Sequence, residues 1–333
     1  MTTLGQAQLG GKAESTYGTP VTVDRFWPFI SFDMVPDYGV VSASDEIRAG
    51  SLVERVDQDD PYIIGGAGSL EMYVQTKGFG IWLSHALGSA AIGTITDSNY
   101  TQTFLLSATG KTGKSMTLQD AHPFNAAGTA QPLTWHGCKV LSVELSCDEE
   151  GYVKAAFELD SEDVDTSTSL AVASYPSIAV GAARFPWRTS TVTVDGAQLD
   201  VTTWRVKIAW PMNTDRRYVR GSALKKEPTV TGKATIEWEL EADFASLDQY
   251  NLVAAASITD RVAPIVITCD GVVALAGATV PQLKVTLPAA RFDKALPPLS
   301  GEAPLMQALS GVGLDNDVDE PVTITYRTTD SAA

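Results

Sequence analysis

Apolar and polar residues alternate along Leu70-Glu71-Met72-Tyr73-Val74-Gln75, which predicts a strand with one buried face. Gly78-Phe79-Gly80-Ile81-Trp82-Leu83-Ser84-His85-Ala86-Leu87-Gly88 then reads as a short helix closed by glycine, and Thr103-Phe104-Leu105-Leu106 as a second strand. The same order returns between Gly232 and Thr268. There Ile236-Glu237-Trp238-Glu239-Leu240-Glu241 alternates, Phe244 to Ala256 carries helical apolar positions, and Pro264-Ile265-Val266-Ile267-Thr268 is a β-branched run. Copies spaced by roughly 165 residues, about half the chain, predict a tandem duplication of one β-rich domain. The polar tract Ser161 to Ser169 is the expected linker, dividing the chain into domains 1–168 and 169–333.

Each half carries a stretch in which apolar periodicity fades and charge rises. The first, Ser42 to Gly66, holds Arg48, Arg55 and Asp57; the second, Asn213 to Pro228, holds Asp215, Arg216, Arg217, Arg220 and Lys225. Long segments with no buried face inside a compact domain are expected to be interaction arms. Arg220-Gly221-Ser222-Ala223-Leu224 loosely mirrors Arg48-Ala49-Gly50-Ser51-Leu52, which links the two arms as copies. Aromatic segments open both halves, at Arg25-Phe26-Trp27-Pro28 and Arg184-Phe185-Pro186-Trp187, and a hairpin is expected across Asp148-Glu149-Glu150.

A chain of 333 residues is long enough for two cores. The net charge of −16 argues against a grip on nucleic acid, which needs a basic footprint, yet it does not exclude a protein that DNA passes without sticking. No apolar run approaches the roughly 20 residues of a membrane helix, so no membrane partner is expected. Met1 to Gln6 lacks the basic and apolar regions of a secretory signal. Cys138, Cys147 and Cys269 read as reduced core residues, the first two on opposite faces of one extended run.

Ala108-Thr109-Gly110-Lys111-Thr112-Gly113-Lys114-Ser115 fits a permissive phosphate-loop pattern, but the segment after it alternates and meets Pro123, so a turn into a strand is the better reading. Asp315-Asn316-Asp317-Val318-Asp319-Glu320 begins like a calcium loop and lacks its glycine and final glutamate. His85, His122 and His136 have no metal-ligand spacing. Neither catalysis nor a cofactor gains support. A less ordinary pattern is Glu237, Glu239 and Glu241, which alternation places on one wholly negative strand face, with Glu71 beginning a weaker version in the first half. The bland reading is a solvent face; the sharper one is a surface that repels anions.

Taken in order, Gly11-Lys12-Ala13-Glu14-Ser15-Thr16-Tyr17-Gly18-Thr19-Pro20, Gly68-Ser69-Leu70-Glu71, Gly113-Lys114-Ser115-Met116-Thr117, Gly137-Cys138-Lys139-Val140, Asp215-Arg216-Arg217-Tyr218, Gly221 to Pro228 and Ile324 to Asp330 resemble the major tail tube proteins of long-tailed (siphovirus-type) bacteriophages. The resemblance covers nearly the whole chain. It implies a mainly β fold, two duplicated β-sandwich or half-barrel domains, each with a flanking helix and a long charged arm. It further implies a structural virion protein of the tail, assembled in the host bacterial cytoplasm. Six domains would line a ring, from three chains or from six chains that each give one domain to the bore; rings would stack helically through the arms. The tube would surround a tape-measure protein, meet tail tip and tail terminator proteins, and pass DNA along a lumen lined by Glu71, Glu237, Glu239 and Glu241. A capsid decoration or adhesive β-sandwich module is the rival reading.

Overall fold

The computed structural model describes residues 7–96, 99–123, 130–179, 182–244, 246–275, 279–294 and 306–333. Met1 to Gln6 and residues 295–305 are among those outside these ranges. The first half contains β1 (Leu9–Ala13), β2 (Arg25–Phe26), β3 (Ser31–Phe32), β4 (Val35–Ser42), β5 (Asp59–Tyr73), α1 (Gly80–Leu87), β6 (Ala91–Thr96), β7 (Asn99–Leu105), α2 (Ala108–Lys111), β8 (Met116–Pro123), β9 (Ala130–Asp148), β10 (Lys154–Ser161) and β11 (Asp163–Asp165). The second contains β12 (Ser190–Val194), β13 (Ala197–Leu199), β14 (Val201–Ala209), β15 (Met212–Asn213), β16 (Thr229–Val230), β17 (Thr235–Asp243), α3 (Asp248–Ala254), β18 (Val262–Asp270), β19 (Gln282–Lys294), β20 (Met306–Gly313) and β21 (Thr323–Thr328). The chain is mainly β, as the alternating sequence predicts.

A set of antiparallel pairings recurs in the two halves. In the first, β1 pairs with β8, β8 with β9, β9 with β10, β10 with β5, and β5 with β3 and β4, while β11 lies on the N-terminal part of β9. In the second, β12 pairs with β18, β18 with β19, β19 with β20, β20 with β17, and β17 with β14, while β21 lies on the N-terminal part of β19. By these pairings the counterpart of the run at 264–268 is β8, not Thr103 to Leu106. The latter belongs to the extra hairpin β6–β7, whose second strand, β7, lies between β6 and β21. A short apolar run carries too little information to separate the two assignments. The halves share hydrogen bonds, since β14 pairs with β9 from Asp148 to Ser142.

The expected linker is part of this framework. β11 pairs with β9, Glu162 is buried, and Asp165 accepts bonds from Ser167 and Thr168. Cys138 and Cys147 are both buried, against the prediction of opposite faces, because β9 passes from its pairing with β8 to the one with β10 and the register shifts at Glu158/Leu159. All three thiols are free.

Helix α1 is interior, with every residue from Gly80 to Leu87 buried, whereas α3 has no buried residue and lies outside as expected. Five of the eight positions in α1 are apolar, and an all-round apolar helix belongs inside a core. Trp82 packs edge-on to Trp27 at 5.2 Å and against Phe157 at 5.0 Å; in the second half Trp238 meets Phe292 at 4.6 Å. These rings anchor the two ends of a continuous core that also takes Leu70, Met72, Leu145, Val206 and Leu240 from one sheet face.

Candidate functional site

The opposite face of that sheet is polar across five strands, β5, β10, β9, β14 and β17, while the next strand, β20, sets Ala308, Ser310 and Val312 beside it. Register sets Glu71, Ala156, Glu144, Lys207 and Glu237 in one row, and Lys154, Ser146, Arg205 and Glu239 in the next. Glu237, Glu239 and Glu241 are exposed while Ile236, Trp238 and Leu240 are buried, so the alternation read from the sequence is the one observed. Across the face, among the described residues, eight carboxylates (Glu71, Glu144, Asp148, Glu158, Glu237, Glu239, Glu241, Asp243) stand among three cations (Lys154, Arg205, Lys207). Arg205 forks between Glu144 at 2.8 Å and Glu239 at 3.0 Å, and Lys207 reaches Glu158 at 3.1 Å. Relief of the Glu239 charge therefore comes from the adjacent strand, which the linear run could not show. Glu237 and Glu241 keep their charge facing solvent.

The arms differ from each other. The first is the long hairpin β4–β5, whose tip, residues 43–58, is exposed. Arg48 is exposed, and Arg55 pairs with Asp57 next to it. The tip also bares Ile47, Leu52, Val53 and Val56, between 80% and 100% exposed. Sequence reasoning picked the charges here and missed these side chains, although an apolar residue inside an otherwise polar arm is the available signal.

The second arm folds back onto the first half. Arg217 donates to the Ile63 carbonyl at 3.4 Å and to that of Ile64, and lies over the Tyr62 ring at 5.3 Å, while its Nε holds Asp215 at 2.9 Å. Arg216 donates to the Glu227 carbonyl at 2.6 Å. Lys225 is buried against Asp160 at 2.6 Å, and Glu227 meets buried Lys139 and the Gly113 amide. Of the second-arm residues singled out, only Arg220, with its Nη2 on the Leu224 carbonyl, and Asp215 are exposed.

The lysines of the phosphate-loop pattern point inward. Lys111 is buried and donates to the carbonyls of His85, Ala86 and Val140, and Lys114 to the carbonyl and hydroxyl of Ser84. They satisfy the last carbonyls of α1 and face the negative end of its dipole. The segment forms one helical turn, α2, and then the turn into β8. Burial and the neighbouring lysines push the Lys111 ammonium down to about 7.

Several segments that carry the family resemblance converge on one buried side chain. Glu14 accepts from the Gly18 and Gly137 amides at 3.0 and 2.9 Å and from the Ser115 and Thr117 hydroxyls at 2.6 and 2.9 Å. Glu162 sits beside it, with Asp163, Arg220 and Lys225 also nearby. Burial, then the charge of Glu14, pushes the Glu162 carboxyl up to about 7. A raised carboxyl favours the fold at low pH, and that contribution disappears as pH rises through about 7. Glu162→Gln is therefore expected to raise stability at pH 8 relative to the parent and to leave it little changed at pH 5. Denaturant titrations at both pH values measure this, and equal shifts at both would refute it.

Among the described residues no cluster of His, Cys, Asp or Glu has the geometry of a metal site, and no helix is long and apolar enough to cross a membrane. No curated protein matches the chain. The model of the phage tail tube protein family matches residues 5–313, which span both halves, both arms and the whole polar face. That family is structural and non-enzymatic, a component of the virion tail assembled in the host. This chain belongs to the phage tail tube protein family.

Proposed function

We propose that the chain is the major tube protein of a siphovirus-type tail, that its halves are duplicated tube domains, and that three chains set six domains around a bore. The rings stack helically around a tape-measure protein, between tail tip and terminator proteins, and DNA later leaves through the bore. The observation that carries this reading is the five-stranded polar face, whose carboxylate excess lies directly behind the core. Facing the bore, such a wall repels the phosphate backbone and offers few sites for it to bind, so DNA slides. The recurring set of pairings supports the duplication, and the protruding first arm, charged and apolar at once, supports stacking. Asp215, Arg216, Arg217 and Lys225 act on assembly through the surface that their arm builds on the first half; Arg48 and Arg220, with the Arg55–Asp57 pair, are the arm charges presented to another copy.

Converting Glu237, Glu239 and Glu241 to lysine tests the lumen assignment. The side chains are exposed, so tubes are expected in parental yield. DNA release is expected to slow by about tenfold or more, and added salt is expected to restore it because screening weakens the new attraction. Coupling of a bulky amine to these carboxylates from the outside of sealed tubes would show that they face outward and would end the assignment.

A further inference from the structure

The chain fills one arm-binding cleft itself and leaves a second one open. At the end of the first half, the second arm packs Arg217 and Lys225 against Ile64, Gly65 and Asp160, leaving a cleft of only about 190 Å³ between them. Placing Leu70 of β5 on Trp238 of β17 also brings the start of α1 onto the start of α3. Ala67, which pairs with Asp160, then corresponds to Thr235. The pairing of Glu237 with Val312, followed two residues on, puts Leu314 opposite Thr235. The place of Asp160 in the first half is thus held by Leu314 in the second. There a larger cleft of about 600 Å³ opens, its walls mainly apolar (Trp210, Ile236, Leu314, Pro321) with Lys233 and Asp315 also lining it.

We propose that the first arm of a second copy fills this cleft, as the second arm fills its counterpart within the chain; the proposal rests on the tube reading above. The two arms align loosely, with Arg48 on Arg220 and Leu52 on Leu224 and the three residues between them unlike. Arg48 to Leu52 corresponds to Arg220 to Leu224, so Val53 stands where Lys225 stands. Lysine enters the cleft that offers a carboxylate, and valine meets the one that offers leucine. Leu52 and Val53 are 98% and 80% exposed, an arrangement that burial in an apolar cleft resolves. The contact is heterologous: an arm on the first half of one chain engages the second half of the next, so repetition builds a ring or a filament.

Mixing chains carrying Val53→Cys with chains carrying Leu314→Cys tests this, because any disulfide between the two positions then joins different molecules. The three native thiols are buried and do not compete. Under mild oxidation most of the protein is expected to run as a reducible dimer, with the link mapped by mass spectrometry to positions 53 and 314. As a measurement free of new thiols, Val53→Asp is expected to leave the melting temperature of the monomer unchanged and to raise the concentration needed for assembly at least tenfold. Rings or tubes without the 53–314 link, links confined to 53–53, or parental assembly of Val53→Asp would overturn the arm contact while leaving the tube reading intact. Parental protein that never assembles at any concentration would overturn both.

Discussion

Glu14→Ala is expected to destabilise the folded chain by about 3 kcal/mol, lowering its melting midpoint by roughly 5–10 °C. The carboxylate receives two backbone amides and two hydroxyls from three separate segments: the loop at Gly18, the start of β8 and Gly137 in β9. Alanine removes every acceptor at once, and water cannot replace them in a site only 7% exposed. Loss of the charge beside Glu162 gives part of the cost back, which keeps the expected figure below the sum of four bonds. Glu14→Gln keeps one acceptor oxygen, and the hydroxyls can turn to accept from its amide, so it is expected to lose only about 1–2 kcal/mol. Chemical denaturation of the unassembled protein measures both. Equal losses for alanine and glutamine would mean that shape, not hydrogen bonding, is what the site requires.

The second large effect is expected at Lys225. Asp160 is buried, its own carboxyl is raised by burial with Lys225 opposing that rise, and removing the ammonium leaves a buried carboxylate without its counter-charge. Lys225→Met is expected to cost about 3–5 kcal/mol at pH 8. With the lysine gone the Asp160 carboxyl rises further above its unfolded value, so the fold is favoured at low pH and the penalty grows as pH increases. The same variant is therefore expected to lose less at pH 5. Combining Lys225→Met with Asp160→Leu is expected to recover most of the loss, since an apolar pair of similar volume needs no desolvated charge. A double variant no better than the single one would show that the arm is held by Arg217 and Glu227, not by the buried pair.

Much of the molecule was legible where the signal was local. The period of two along Leu70 to Tyr73 and Ile236 to Glu241 matches the buried and outward faces of β5 and β17, whereas Gln75, at an outward position of the same pattern, lies beyond β5 and is buried. The turn at Asp195-Gly196, both with positive φ, and the hairpin turn with Glu150 at φ 62 are sites where short polar residues and glycine announce left-handed backbone. What was not legible depends on partners far along the chain. Lys111 and Lys139 look like surface cations in sequence; they are buried because the carbonyls of α1 lie 25 residues away and Glu227 lies 88 away. Lys225 joined the list of arm charges for the same reason, its partner Asp160 being 65 residues distant. The apolar tip of the first arm is not legible because Ile47, Leu52, Val53 and Val56 follow no helical or strand period, and their exposure comes from the hairpin that holds them away from the core.

The central claim is polymerisation into a hollow tube, and negative-stain electron microscopy of the purified chain across concentration and salt tests it most directly. The account predicts hollow rings or tubes whose end-on views show six equivalent lobes around an open bore, three chains to a ring. A chain that remains monomeric at every concentration, even with its tape-measure and tail tip partners added, would contradict it.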